Sequence, residues 1–105
     1  MRVVVVGATG NVGSSVTECL ARTDTVTEVL GLARRLPVRR TDKTSFVAAD
    51  ITVDDLGSHF RGADAVIHLA WLFQPTHDPL TTWRVNVEGS IRVFQAAADA
   101  QVDVT

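Results

Sequence analysis

The sequence predicts an α/β fold, a doubly wound parallel sheet with helices on both faces. Three observations predict it. The chain opens on a short, continuous β-branched run, Arg2 to Val6, that stops at a glycine. Glycines then recur at Gly7, Gly10 and Gly13, and from there apolar runs alternate with helical periodicities almost to the last residue. Four successive valines suit a central parallel strand buried on both faces, because a strand with one wet face would alternate.

The elements follow in order. Val12, Val16, Cys19 and Leu20 recur at i, i+4, i+7 and i+8, which gives a first helix over Asn11 to Arg22 with one apolar stripe. Glu28 to Ala33 reads as the second strand, an Arg- and Pro-containing loop runs through Lys43, and Ser45 to Ala49 forms the third strand. Thr52 with Asp55 three residues on matches a capping box for a short helix. Leu56 and Phe60 form its apolar edge, and Gly62 closes it in left-handed geometry. Ala63 to Ala70 is the fourth strand. Asp78 and Pro79 make an N-cap and first-turn pair for a long helix on which Leu80, Trp83, Val87, Ile91, Phe94 and Ala98 step by threes and fours.

The expected strand order is 3-2-1-4. The sheet is expected to be incomplete, truncated before a fifth strand that has barely begun at Val102 to Thr105. The fourth strand then stands as an exposed parallel edge, which predicts self-association or marginal stability.

Composition bounds the function. A chain of 105 residues is one domain, and 46% apolar against 21% charged residues is ordinary for a globular protein with a core. A formal charge of -2 supplies no uniform positive field, so neither nucleic acid nor an anionic membrane is an expected partner. Only the cluster Arg34, Arg35, Arg39 and Arg40 departs from that balance. The single Cys19 excludes a disulfide framework and suits a reducing, cytoplasmic setting. The valine run at the start is too short for a signal peptide or a membrane span. His59, His68 and His77 lack metal-ligand spacing, and His68 reads as a satisfied core histidine.

The chemistry resides in the glycines. Between a buried strand and an amphipathic helix, GATGNVG asks for a sharp turn, a backbone close enough to touch a diphosphate and a helix packed tightly on the sheet. Each demand excludes a Cβ at one glycine. The amides opening the helix, at Asn11 and Val12, and the helix dipole then favour an anion, with the Thr9 hydroxyl beside it. No GK[ST] follows, so this is not a Walker loop. It is the turn of a Rossmann-type dinucleotide site, expected to hold the diphosphate over Gly10 to Gly13.

Four pieces in order carry a wider resemblance: GATGNVG, AADI at Ala48 to Ile51, DAVIHLA at Asp64 to Ala70, and NVEGSIRVFQAA at Asn86 to Ala97. With them the chain resembles the extended short-chain dehydrogenase/reductase family, the NAD-dependent epimerase/dehydratase group, over its whole length. The resemblance implies an NAD(P) cofactor, with Asp50 on the adenine amino group and the Ile51 backbone beside the ring. It places Leu69 and Ala70 against the ribose and Asn86 near the nicotinamide. Trp71 departs from the small residue usual there, and either points into a substrate cleft or narrows the site. Asp50 also reads as a surface acid before a helix.

At the end of the second strand, Arg34 and Arg35 stand where an acid would grip the ribose hydroxyls of NAD. They are either a bidentate grip on a 2′-phosphate, which favours NADP over NAD, or a solvated basic loop. The family's catalytic Tyr, and the Lys four residues after it, have no counterpart here: the chain has no Tyr, and its single lysine, Lys43, lies in a loop. The expected function is the NAD(P)-binding portion of an epimerase, dehydratase or reductase that acts, when complete, on a nucleotide sugar or similar carbonyl or alcohol. The alternative is a non-catalytic dinucleotide sensor, toward which Val6 points, since extended members more often carry Ser or Thr there.

Overall fold

In the computed structural model, which describes residues 1–38, 40–70, 80 and 83–105, five parallel strands form one sheet in the order β3-β2-β1-β4-β5. The elements are β1 (Arg2–Val6), α1 (Asn11–Ala21), β2 (Glu28–Ala33), β3 (Thr44–Ala48), α2 (Gly57–Phe60), β4 (Ala65–His68), a π-helical turn (Arg84–Glu88), α3 (Gly89–Asp99) and β5 (Asp103–Val104).

The four valines of β1 show why the run from Val3 to Val6 is apolar without alternation. Val4 and Val6 join one buried cluster, with Leu30, Leu32, Phe60, Val66 and Val93, beneath α2 and α3. Val3 and Val5 join the other, with Val29 and the partly buried Val16 and Leu20 of α1. Each face of the central strand is thus a core, as a doubly wound sheet requires.

The first four strands take the expected order, but a fifth strand extends the sheet. Ala65 pairs with Asp103 and Val66 with Val104, and the His68 amide donates to the Thr105 carbonyl at 3.0 Å. The fourth strand is therefore not an exposed edge, and the reasoning from an uncovered β4 to self-association loses its premise.

Two further expectations are corrected. The Thr52 hydroxyl caps no helix: it donates to Asp50 Oδ1 at 2.6 Å, and α2 starts five residues later behind Leu56, with no side-chain cap. A short hydroxyl beside a carboxylate satisfied it locally before a helix could use it. On α1 the inward residues are Gly13 and Thr17, flanked by Val16 and Leu20, while Val12 and Cys19 are exposed. The helix lies too close to the sheet for large side chains beneath it, and the Thr17 hydroxyl, inside that contact, donates to the Ser14 carbonyl at 3.0 Å. Gly62 does adopt positive φ, at 77°. The Asp78–Pro79 cap lies outside the described residues. No helix among the described residues is long and apolar enough to cross a membrane.

Candidate dinucleotide site

The residues that follow the carboxyl ends of β1, β2, β3 and β4 converge on one cleft of about 320 Å³. Gly7, Thr9 and Gly10 come from the first of these ends, Arg34 and Arg35 from the second, Asp50 and Ile51 from the third, and Leu69 and Ala70 from the fourth. Order 3-2-1-4 makes this convergence unavoidable, because the chain reverses direction of growth between β1 and β4 and leaves a crevice there. Leu32, Ala33 and Ala49 also line it, although the sequence reading did not single them out.

The bend is shaped by its own backbone. Gly7 holds φ at 83°, and a Cβ there would stand 2.7 Å from the Ala70 amide nitrogen. A Cβ on Gly13 would fall inside the Gly7 carbonyl and the Ala8 backbone. The bend is tied to β2 by the Gly7 and Ala8 amides, which both donate to the Leu32 carbonyl, at 2.8 and 3.2 Å. Gly10 is different: among the described residues the nearest atom to a Cβ there is 3.8 Å away, so none of them requires glycine at this position.

Gly10 is also the N-cap of α1, it offers no side-chain cap, and the first turn carries no acid. The amides of Asn11, Val12 and Gly13 open the helix and lack intrahelical acceptors by geometry. The Gly10 carbonyl accepts from Ser14 at 2.8 Å, which fixes the turn from behind. Together these groups form an anion-favouring floor with bare backbone in front of it.

The far rim is made of side chains. Asp50 is partly buried, and its Oδ1 accepts both the Thr52 amide at 2.9 Å and the Thr52 hydroxyl at 2.6 Å. Those two bonds hold its carboxyl below the usual carboxylate range, with Arg34 and Arg92 adding to the effect against a desolvation penalty. The Asp50 amide in turn donates to Asp54 Oδ2 at 2.7 Å. Arg34 and Arg35 are exposed.

At the end of β4, His68 Nε2 lies 2.8 Å from Ser90 Oγ, and its ring meets Phe94 edge-on at 5.9 Å. Nδ1 is buried with no hydrogen-bond partner among the described residues, and burial lowers the imidazole pKa. His68 is thus half satisfied. Asn86 is buried, 7% exposed, in the π-helical turn, and Trp71 lies outside the described residues. Lys43 is structural: its Nζ donates to the carbonyls of Thr23 and Val26, at 3.3 and 3.0 Å.

Comparison with known proteins matches this arrangement. Residues 3–105 match the family model described as the NAD dependent epimerase/dehydratase family. L-arabinose 1-dehydrogenase (NAD(P)(+)) from Haloferax volcanii is 33% identical over 103 residues, 97% of this chain and 38% of that protein. The structure of MoeE5 in complex with UDP-glucuronic acid and NAD superposes with a TM-score of 0.85 at 27% identity, covering 99% of this chain and 35% of the other. L-threonine dehydrogenase from Clostridium difficile gives 0.82 at 25% identity, covering 98% and 34%. The chain therefore spans well under half the length of these relatives. With the glycine bend, the crevice and the family match in agreement, the chain belongs to the NAD-dependent epimerase/dehydratase family.

Proposed function

We propose that the chain holds the dinucleotide of an NAD(P)-dependent epimerase, dehydratase or reductase that acts, when complete, on a nucleotide sugar or a related carbonyl or alcohol. One observation carries the reading. Of the three glycines of the bend, Gly7 and Gly13 are demanded by packing among the described residues and Gly10 is not, which leaves Gly10 as the place where something other than these residues approaches the backbone. A capless, acid-free helix start beside it suits a diphosphate. The names of the relatives, a sugar dehydrogenase and a protein in complex with UDP-glucuronic acid and NAD, support the substrate class.

When bound, a nicotinamide dinucleotide supplies hydride transfer. The chain's own residues bind and orient it: the Asn11, Val12 and Gly13 amides and the Thr9 hydroxyl hold the diphosphate over Gly10. Asp50 accepts the adenine amino group, the Ile51 backbone lies beside the ring, Leu69 and Ala70 let the ribose approach, and Asn86 serves the nicotinamide side. Arg34 and Arg35 favour NADP over NAD by offering guanidinium forks to a 2′-phosphate. With no tyrosine in the sequence and the Lys43 amine committed to two carbonyls, these residues hold and orient the cofactor and leave proton transfer to other groups.

Calorimetric titration of NADH and NADPH into the chain and into Gly10→Ala tests this. The variant should unfold within about 1 kcal/mol of the parent, since an N-cap exchange of this kind is mild, yet bind the dinucleotide at least about tenfold more weakly. A parent chain that binds neither nucleotide, or a variant that binds as well as the parent, overturns the reading.

A further inference from the structure

Arg92 lies on α3, away from the cleft lining, and its guanidinium spans two backbone carbonyls of the loop that carries Asp50. Nη1 donates to Ile51 at 2.6 Å and Nη2 to Asp54 at 2.7 Å. The loop already closes on itself: the Val53 and Asp54 amides donate to the Asp50 carbonyl at 3.2 and 2.9 Å, and Asp54 Oδ2 receives the Asp50 amide. A turn with this many internal bonds needs no arginine to exist. What the fork adds is the direction in which the turn faces, because a planar guanidinium fixed on two acceptors sets both distance and angle.

The same helix is fixed at the other end of the cleft, through Ser90 on His68 at the end of β4. One rigid element therefore references the Asp50 loop to the strand ends that form the rest of the cleft. Resting on the dinucleotide reading above, the geometry points to Arg92 as a positioning residue that sets the Asp50 carboxylate for recognition of the adenine amino group. It touches no ligand; it acts through the loop.

The arginine stem borders a groove of about 430 Å³ between α2 and α3, so other unbranched side chains fit there without collision. The test compares NAD with nicotinamide hypoxanthine dinucleotide, in which a carbonyl replaces the adenine amino group. The 105-residue parent should prefer NAD, and Arg92→Met should shrink that preference by about tenfold, the scale of one charge-assisted hydrogen bond. Hydrogen exchange at the Val53 and Asp54 amides should rise in the same variant. Arg92→Lys, which keeps the cation but not the fork, should retain part of the preference, and it carries the comparison if Arg92→Met does not fold. Equal weakening of both nucleotides with the preference intact makes Arg92 a structural residue only and overturns the proposal. So does a parent that shows no preference. If the parent binds neither nucleotide, the dinucleotide reading falls, and unchanged exchange at those two amides then overturns the clamp as well.

Discussion

The floor of the cleft and its adenine-side rim reach a fixed shape by different physics. At the floor, backbone sits against backbone: Gly7 and Gly13 leave no room for a Cβ, and the bend is tied to β2 through two amides on one carbonyl. At the rim, Asp50, Thr52 and Arg92 are placed by hydrogen bonds that involve side chains. Steric closure is all or nothing and indifferent to pH, whereas a hydrogen-bonded rim can be altered one group at a time. Under the proposed function, the floor governs whether a dinucleotide binds, and the rim governs which one.

The largest expected effect breaks the floor. Gly13→Ala drives a methyl into the Gly7 carbonyl and the Ala8 backbone, and should destabilise the chain by about 3 kcal/mol or more. For a domain of this size each kcal/mol lowers the melting temperature by roughly 4–8 °C. If Gly13→Ala melts where Gly10→Ala does, the distinction between protein-demanded and ligand-demanded glycines is wrong.

A smaller effect comes from the end of β4. Ser90→Ala leaves His68 Nε2 without its partner and should cost about 1 kcal/mol in urea unfolding. His68 also gives a pH signature. Burial lowers its folded pKa below the ordinary 6.5, so the unfolded chain takes up the proton first as the pH falls. Stability present above about pH 6.5 is then lost as the pH drops toward the folded pKa. A urea midpoint that is lower near pH 5.5 than near pH 7.5, with the difference reduced in His68→Gln, is the expected outcome; an unchanged difference assigns the titration elsewhere.

The smallest effect sharpens the contrast from the rim side. Arg34→Ala removes an exposed side chain and should leave stability within about 0.5 kcal/mol, while a preference for NADPH over NADH falls several-fold by calorimetry. A variant that keeps its full preference would show that the 2′-phosphate is not read at this arginine.

Much of this was legible in the sequence because it depended on short-range pattern. β1 and β2 lie where continuous apolar runs place them, and the bend needs only glycine spacing after a strand. Asp50, Arg34 and Ala70 could be placed on one cleft because parallel strand ends must converge. Three features escaped for identifiable reasons. Thr52 carries the same letters whether it caps a helix or binds the preceding carboxylate, and only the three-dimensional course of the loop decides. The start of a fifth strand was legible at Val102 to Thr105, but β5 has only two residues, too few to show that it already pairs with β4. Arg92 acts across 38 to 41 positions; its signal was that it is the lone cation of Gly89–Asp99.

The π-helical turn Arg84–Glu88 carries one consequence for the rim. Such a turn takes in one residue more than an α-helical turn, equivalent to about 100° of rotation for everything that follows. The extra residue decides the angular phase in which α3 meets the sheet. Winding the same residues as a plain α-helix would bring Gly89 to the place where Ser90 meets His68, and Ile91 to the place where Arg92 meets the loop. Both polar anchors would be lost without a single substitution, so under the proposed reading the winding of this turn matters to the site as much as any residue that lines the cleft.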